Sequence, residues 1–330
     1  MIDDLFRGNS VSQPVIYVVI TNWNGKKPLQ KCLASFFAKT DNPGCKIIVV
    51  DNASTDGSTE MLQTNFPTVE IIKNVENTGF SRANNQGIRH ALANHAEYIL
   101  LLNNDVEITD QKWLKNLVDV LNSDSKIGIV GCKLLYPNGK IQHAGGIINL
   151  TGGHNRGECE EDTGRYDKIE YLRFVTGAVL LIKSEVVRKI GLLDEGFTPL
   201  YYEDVDWCVR AGLHGYKVAY SPNPTLIHHC GSSANKLNHE IKMFYQRRSF
   251  IRFFLINFQF TDILKRIVKF EVRLAVGCLI GRSKNKKFSV VLRSDGSNRL
   301  VFFFKGWFSN FRNLKSIIAL REQRLKLSVS

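Results

Sequence analysis

Four short apolar runs, VIYVVI (15–20), KIIVVD (46–51), VEIIKN (69–74) and EYILLLNND (97–105), are separated by three segments that read as helices. In PLQKCLASFFAKT, Leu29, Cys32, Leu33 and Phe36 recur at helical spacing; STEMLQTNF and SRANNQGIRHALANH occupy the other two gaps. Few folds accommodate strand and helix in strict alternation. The pattern predicts an α/β domain with a mostly parallel central sheet and helices on both faces. Ligands of such open sheets bind beyond the C-terminal ends of the strands.

The polar residues gather where that rule places a ligand. The first run leads to Thr21, Asn22 and Asn24, the second to Asp51, Asn52 and Ser54, the third to Asn77, Thr78 and Gly79, and the fourth to Asn103, Asn104 and Asp105. Any one cluster is ordinary turn and helix-cap chemistry. Repetition at every strand end predicts a shared site instead. The first turn reads TNWNGKKPL, without the glycine pattern of a dinucleotide fold, and no Gly-x-x-x-x-Gly-Lys-Ser/Thr loop occurs anywhere. Dehydrogenase and P-loop chemistry are therefore excluded.

Further along come IGIVGCKLLY, a Gly-rich region with His143 (QHAGG) and His154, an acidic segment at 156–168 expected to be a surface loop, and the strand FVTGAVLLIK (174–183). The stretch YYEDVDWCVR (201–210) crowds Glu203, Asp204 and Asp206 into one turn. Read as a helix, it pairs Asp206 with Arg210 at i, i+4, and first-turn acids suit the helix dipole. Tyr201, Tyr202 and Trp207 surround these carboxylates, and partial burial makes Asp204 or Glu203 a better proton acceptor. Asp105, ending an apolar strand, suits a hard divalent cation that completes its shell with substrate phosphate. His228, in LIHHCGSS, is placed to join it.

These segments together resemble glycosyltransferase family 2, inverting enzymes, in the branch that includes bacterial rhamnosyltransferases. The motifs are VVITNWNG (18–25), VVDNASTDGS (49–58), NTGFSRANNQGI (77–88), ILLLNNDV (99–106), TGAVLLIK (176–183), LDEGFTPLYYEDVDWCVRAGLHGY (193–216) and HHCGSS (228–233). They run in order over about two thirds of the chain. The resemblance implies a GT-A fold, a nucleotide-sugar donor and Mg²⁺ or Mn²⁺. It implies nucleoside contacts from Thr21, Asn24, Asp51 and Asn52, and diphosphate and sugar contacts from Asn77, Gly79, Asn84 and Asn104. Asp105 and His228 become metal ligands, Asp204 the catalytic base beside Glu203, and Gly177 and Ala178 an acceptor-side turn. Two departures stand out: Asn103 replaces the first carboxylate of the family's Asp-x-Asp motif, and Asn22 stands where an aromatic is usual.

The net charge of +13 is uneven: residues 1–235 carry −3 and residues 236–330 carry +16. From residue 241 the chain reads as a basic, amphipathic, helical extension to a catalytic domain of residues 1–240, with Ile251, Phe254, Leu255 and Phe258 at i, i+3, i+4 and i+7. Its longest uncharged run, FFLINFQFT, is nine residues, too short for the ~20 that span a bilayer. A basic helix with an apolar face suits an anionic membrane surface; packing on the catalytic domain is the alternative. No nucleic-acid-binding motif accompanies it. The opening MIDDLFRGNS lacks the cationic start and apolar core of a signal peptide, and seven scattered cysteines without a Cys-x-x-Cys pair form neither a disulfide framework nor a zinc site. The expectation is a cytoplasmic enzyme, peripheral on the inner face of the membrane. It would move a sugar, L-rhamnose from dTDP-rhamnose, to a lipid-linked polysaccharide; a UDP-hexose or UDP-N-acetylhexosamine donor, or a non-catalytic sugar-nucleotide-binding subunit, are the alternatives.

Overall fold

The alternating runs fold as β1 (Ile16–Asn22), α1 (Lys26–Lys39), β2 (Cys45–Asp51), α2 (Ser58–Asn65), β3 (Glu70–Lys73), α3 (Phe80–Ala93) and β4 (Tyr98–Leu102) in a computed structural model. The structure describes residues 14–42, 44–230, 238–271 and 296–327. MIDDLFRGNS, Gly231–Ser233 of HHCGSS and residues 272–295 of the basic extension lie outside them. Beyond β4 follow β5 (Val106–Glu107), α4 (Trp113–Asn122), β6 (Ile127–Leu135), β7 (Ile141–His143), β8 (Gly146–Asn149), β9 (Gly152–Asn155), β10 (Glu170–Tyr171), β11 (Val179–Lys183), α5 (Ser184–Ile190), α6 (Glu203–Leu213) and β12 (Lys217–His228). The last described helices are α7 (His239–Asn257), α8 (Phe260–Arg266), α9 (Gly296–Arg312) and α10 (Leu314–Leu327).

The main sheet runs β10-β12-β6-β11-β4-β1-β2-β3. β1 pairs in parallel with β2 and β4, and β2 with β3, as the alternation predicts. β11 then enters antiparallel between β4 and β6, and β12 lies parallel to β6, so the whole sheet is mixed. The reason is local: β11 follows the hairpin-rich segment 141–171 rather than a crossover helix, and parallel neighbours need such a crossover.

Alternate residues of β1 enter different cores, as the twofold period of a strand requires. Tyr17 and Val19 join the core that includes residues of α3, α5 and α6, while Ile16, Val18 and Ile20 join the one that includes residues of α1, α2 and α4. Each fully buried Val, Leu or Ile contributes about 1.5–3 kcal/mol, which explains why these runs lack polar residues on either face.

Residues 156–168 form a mostly exposed surface loop, as expected, but one that is strapped down: buried Lys133 bonds Asp162 at 2.9 Å and Asp167 at 2.5 Å, and Tyr166 is buried. Ion pairs leave no apolar period to read. The apolar stripe of α7 faces protein: Ile251 and Phe254 are buried with Phe250 and Ile263, against Leu150 and Tyr202. Arg252 pairs with Asp194 at 2.8 Å, and Arg248 donates to the Phe197 carbonyl at 2.9 Å. Composition changes at residue 240; packing does not.

Candidate active site

One cleft of about 600 Å³ opens at the C-terminal ends of β1, β2 and β4. Thr21, Asn52, Asn77, Gly79, Asn104 and Asp105 line one wall. The wall is tied across strands by side chains. Asn104 Nδ2 donates to Asn22 Oδ1 at 2.7 Å, and Asn22 Nδ2 donates to Asp51 Oδ1 at 3.1 Å. Asn52 Oδ1 accepts from Asn74 Nδ2 (2.9 Å) and Thr78 Oγ1 (3.0 Å).

Three candidates for donor binding stand behind this wall rather than on it. Asp51 is buried, and its second oxygen accepts from Ser54 N–H at 2.9 Å. Asn24 Oδ1 accepts from Thr55 N–H at 2.7 Å, and buried Asn84 donates to the Phe80 carbonyl at 3.0 Å. Their polar atoms shape the turns that carry the lining residues. Gly79 is at φ +81°, and a Cβ there would lie 2.8 Å from Pro199 Cα, so only glycine lets α3 start against the opposite wall.

That opposite wall comes from Thr176, Gly177 and Ala178 before β11 and from the turn entering α6. Asp204 Oδ2 accepts from Gly177 N–H at 2.7 Å, and Oδ1 accepts from Val205 N–H at 2.8 Å. Burial pushes the Asp204 carboxyl up, and these N–H groups only partly offset it. Glu203 is buried in the same wall, with Oε2 lacking a hydrogen-bond partner among the described residues. Burial first, and the adjacent Asp204 second, push its carboxyl well above the usual range. Tyr201 and Tyr202 hand these acids into the cleft at φ 80° and 72°, a left-handed backbone that bulky residues rarely adopt. Tyr202 is held by Phe250 and Phe253 of α7.

Asp206 has the pairing that its spacing predicts, with Arg210 Nε at 3.0 Å, and more. Arg324 of α10 reaches it at 2.5 and 3.1 Å, and Asn257 Nδ2 donates to it at 3.1 Å. Burial opposes ionisation of Asp206, but the two guanidinium groups prevail and hold it down at about 2.

At the other end of the cleft, His228 Nε2 lies 3.0 Å from Asp105 Oδ1 and 3.3 Å from Asn103 Nδ2. Burial disfavours charge on His228, yet the bond to Asp105 lifts it to about 9. No cluster of three or more His, Cys, Asp or Glu side chains among the described residues would enclose a metal. A pair of one carboxylate and one imidazole fits a cation of the Mg²⁺ or Mn²⁺ class, which keeps positions for phosphate and water.

The lining also includes Trp23, Phe80, Leu200, Tyr201, Ile241 and Tyr245, which sequence reasoning did not assign. Trp23 adjoins the predicted Thr21 and was accessible from position alone. Ile241 and Tyr245 carried no local signal, because only packing brings α7 to the cleft.

Residues 17–180 match the family model described as Glycosyl transferase family 2. O-antigen biosynthesis protein RfbC of Myxococcus xanthus is 29% identical over 67% of this chain and 18% of its own length. An N-acetylglucosaminyl-diphospho-decaprenol L-rhamnosyltransferase of Mycobacterium tuberculosis is 24% identical, covering 67% of this chain and 78% of the relative. The dTDP-rhamnosyl transferase RfbF of Shigella flexneri is 25% identical over 67% and 71%. The chain spans a quarter or less of the two long curated relatives that it matches, 25% and 18%. Among solved structures, a mannosyltransferase of Pyrobaculum calidifontis in complex with GDP-Man and Mn²⁺ superposes with TM-score 0.54 at 15% identity, covering 97% of this chain and 82% of that one. GalNAc-T7 with UDP, GalNAc and Mn²⁺ gives 0.57 at 16% identity, covering 74% and 48%. At that identity the likeness shows the fold, which is GT-A. Motif order, sheet topology and the match over residues 17–180 agree, and the chain belongs to glycosyl transferase family 2.

Proposed function

We propose that this chain transfers a sugar from a nucleotide diphosphate donor to a hydroxyl acceptor with inversion, Asp204 acting as base. The observation that carries the reading is one cleft lined both by a backbone-held carboxylate, Asp204, and by a carboxylate–imidazole pair, Asp105 and His228. The acceptor oxygen forms its bond to the anomeric carbon as the bond to the diphosphate oxygen breaks, and the acceptor proton passes to Asp204. Gly177 N–H holds Asp204 Oδ2 at 2.7 Å, which aims the carboxylate before the acceptor arrives. Thr21, Asn52, Asn77, Gly79 and Asn104 face the donor, and Gly177 and Ala178 the acceptor. Asp105 and His228 would hold Mg²⁺ or Mn²⁺, which when bound neutralises charge on the diphosphate.

For the donor, dTDP-rhamnose is the reading that the rhamnosyltransferase relatives support, with UDP-hexoses and UDP-N-acetylhexosamines next. For the acceptor, a lipid-linked oligosaccharide at an anionic membrane surface fits the basic C-terminal helices. No helix among the described residues is long and apolar enough to cross a membrane. The face offered to lipid is on α9, where Phe304, Phe308 and Phe311 are 60%, 59% and 70% exposed beside Lys305 and Arg312. Flotation with anionic liposomes, weakened by salt and by Phe308→Ser, is expected; binding indifferent to lipid charge removes the membrane from the reading.

The decisive experiment is a donor panel with and without Mg²⁺ or Mn²⁺, in the presence of membrane lipid extract, read as release of nucleoside diphosphate. Release with one donor and not the others identifies it. Donor binding without turnover would favour the non-catalytic alternative, and pyrophosphate release from a triphosphate would point to nucleotidyl transfer.

A further inference from the structure

Two adjacent side chains of β7, Gln142 and His143, are buried and have no role in the transfer just described. Successive residues of a strand point to opposite sides, and each of these bonds to a different residue of the cleft lining, His228 or Thr176. Gln142 Oε1 lies 2.8 Å from His228 Nδ1, and its Nε2 bonds to Cys230 Sγ. A carbonyl oxygen only accepts, so His228 carries a proton on Nδ1 and turns Nε2 to Asp105.

His143 makes the corresponding connection on the other side. Its Nδ1 lies 2.9 Å from Asn155 Oδ1, and Nε2 accepts from Thr176 N–H at 3.3 Å. Burial keeps this imidazole neutral, down at about 4, and the tautomer with its proton on Nδ1 satisfies both partners. Thr176 precedes Gly177, whose N–H grips Asp204.

We propose that Gln142 and His143 are positioning residues, one aiming the metal-ligating imidazole His228 and the other fixing the Thr176–Gly177 turn that aims the base Asp204. Both halves rest on the proposed function; a Mn²⁺ titration of the wild-type chain tests the metal reading separately from the Gln142 half, and kcat tests the Asp204 half. Partners behind a metal-ligating histidine are commonly worth 10–100-fold in affinity.

The test uses the full chain and pairs Mn²⁺ binding by electron paramagnetic resonance, alone and with dTDP, with kcat for the donor that turns over fastest in the panel. Gln142→Leu is expected to weaken Mn²⁺ binding about 10–100-fold, while Gln142→Glu, which keeps an acceptor for Nδ1, retains it. His143→Leu is expected to leave Mn²⁺ affinity within about twofold and to lower kcat by about tenfold or more. His143→Gln, which keeps an acceptor for Thr176 N–H, recovers most of that loss. Unchanged Mn²⁺ affinity in Gln142→Leu overturns the inference, as does equal weakening by both Leu variants alongside equal losses of thermal stability, which would make β7 merely structural. A wild-type chain that binds no Mn²⁺ even with dTDP overturns the metal reading itself and the Gln142 half with it.

Discussion

The two walls of the cleft are built by different means. The wall proposed to face the donor is the rim of a parallel sheet, and its side chains hold one another over short hops, Asn104 to Asn22 to Asp51. The wall proposed to carry the base is a turn and a helix end, with two left-handed tyrosines and a Glu203 oxygen unpartnered among the described residues, held from outside. Its anchors come from α7 and α10: Tyr202 against Phe250 and Phe253, and Asp206 against Arg324, 118 residues further along the chain. A rim of strand ends is self-supporting. A strained turn bearing acids persists only because distant parts of the chain hold it.

Perturbing each wall in turn sharpens that contrast. The largest effect is expected from Asp204→Asn, which should cut transfer about 10²–10⁴-fold while calorimetry shows donor binding unchanged. A loss of donor binding would place Asp204 in the donor wall instead. Next is Arg324→Ala, which leaves a buried carboxylate short of a charge partner and should cost about 3 kcal/mol in urea unfolding. Asp206 is held down at about 2, so the stability it contributes is present above the unfolded carboxylate pKa of about 4 and is lost as pH falls from there towards 2. That acid sensitivity should flatten in the variant.

Gly79→Ala tests the seam between the walls, where Phe80 N–H donates to the Pro199 carbonyl at 2.8 Å. A left-handed alanine there, pressed on Pro199, should cost about 2 kcal/mol and weaken donor binding as well. Glu203→Gln should act with the opposite sign. Because the Glu203 carboxyl is raised, its ionisation opposes folding as pH rises through its folded pKa, so the variant should be the more stable in neutral-pH melts. The smallest effect belongs to Lys115→Ala, which removes an exposed pair with Asp119 and should change stability by less than about 0.5 kcal/mol.

Much of the strand-end wall was legible in the chain. Apolar runs of strand length, each ending in Asn, Asp, Thr or Gly, identified β1 to β4 and most of the wall they carry, since period and turn chemistry are local properties. Asn24, Asp51 and Asn84 show the limit: a polar residue near a strand end either faces the ligand or braces the turn that does. For Asn24 and Asp51 the deciding partners include Thr55 and Asn22, 31 and 29 residues away, whereas Asn84 turns back on Phe80 within its own helix. The i, i+4 spacing of Asp206 and Arg210 likewise revealed a pair but not Arg324.

The amino-acid sequence by itself determined the alternation that makes half the sheet parallel and the helix of Glu203–Leu213, and it singled out Asp105, Asp204 and His228, which line one cleft. Only the tertiary structure decided that β11 enters antiparallel, that the stripe of α7 is core, and that Ile241 and Tyr245 complete the cleft. An apolar stripe records the need for a partner without naming one, and the partner is whichever surface the rest of the fold leaves uncovered.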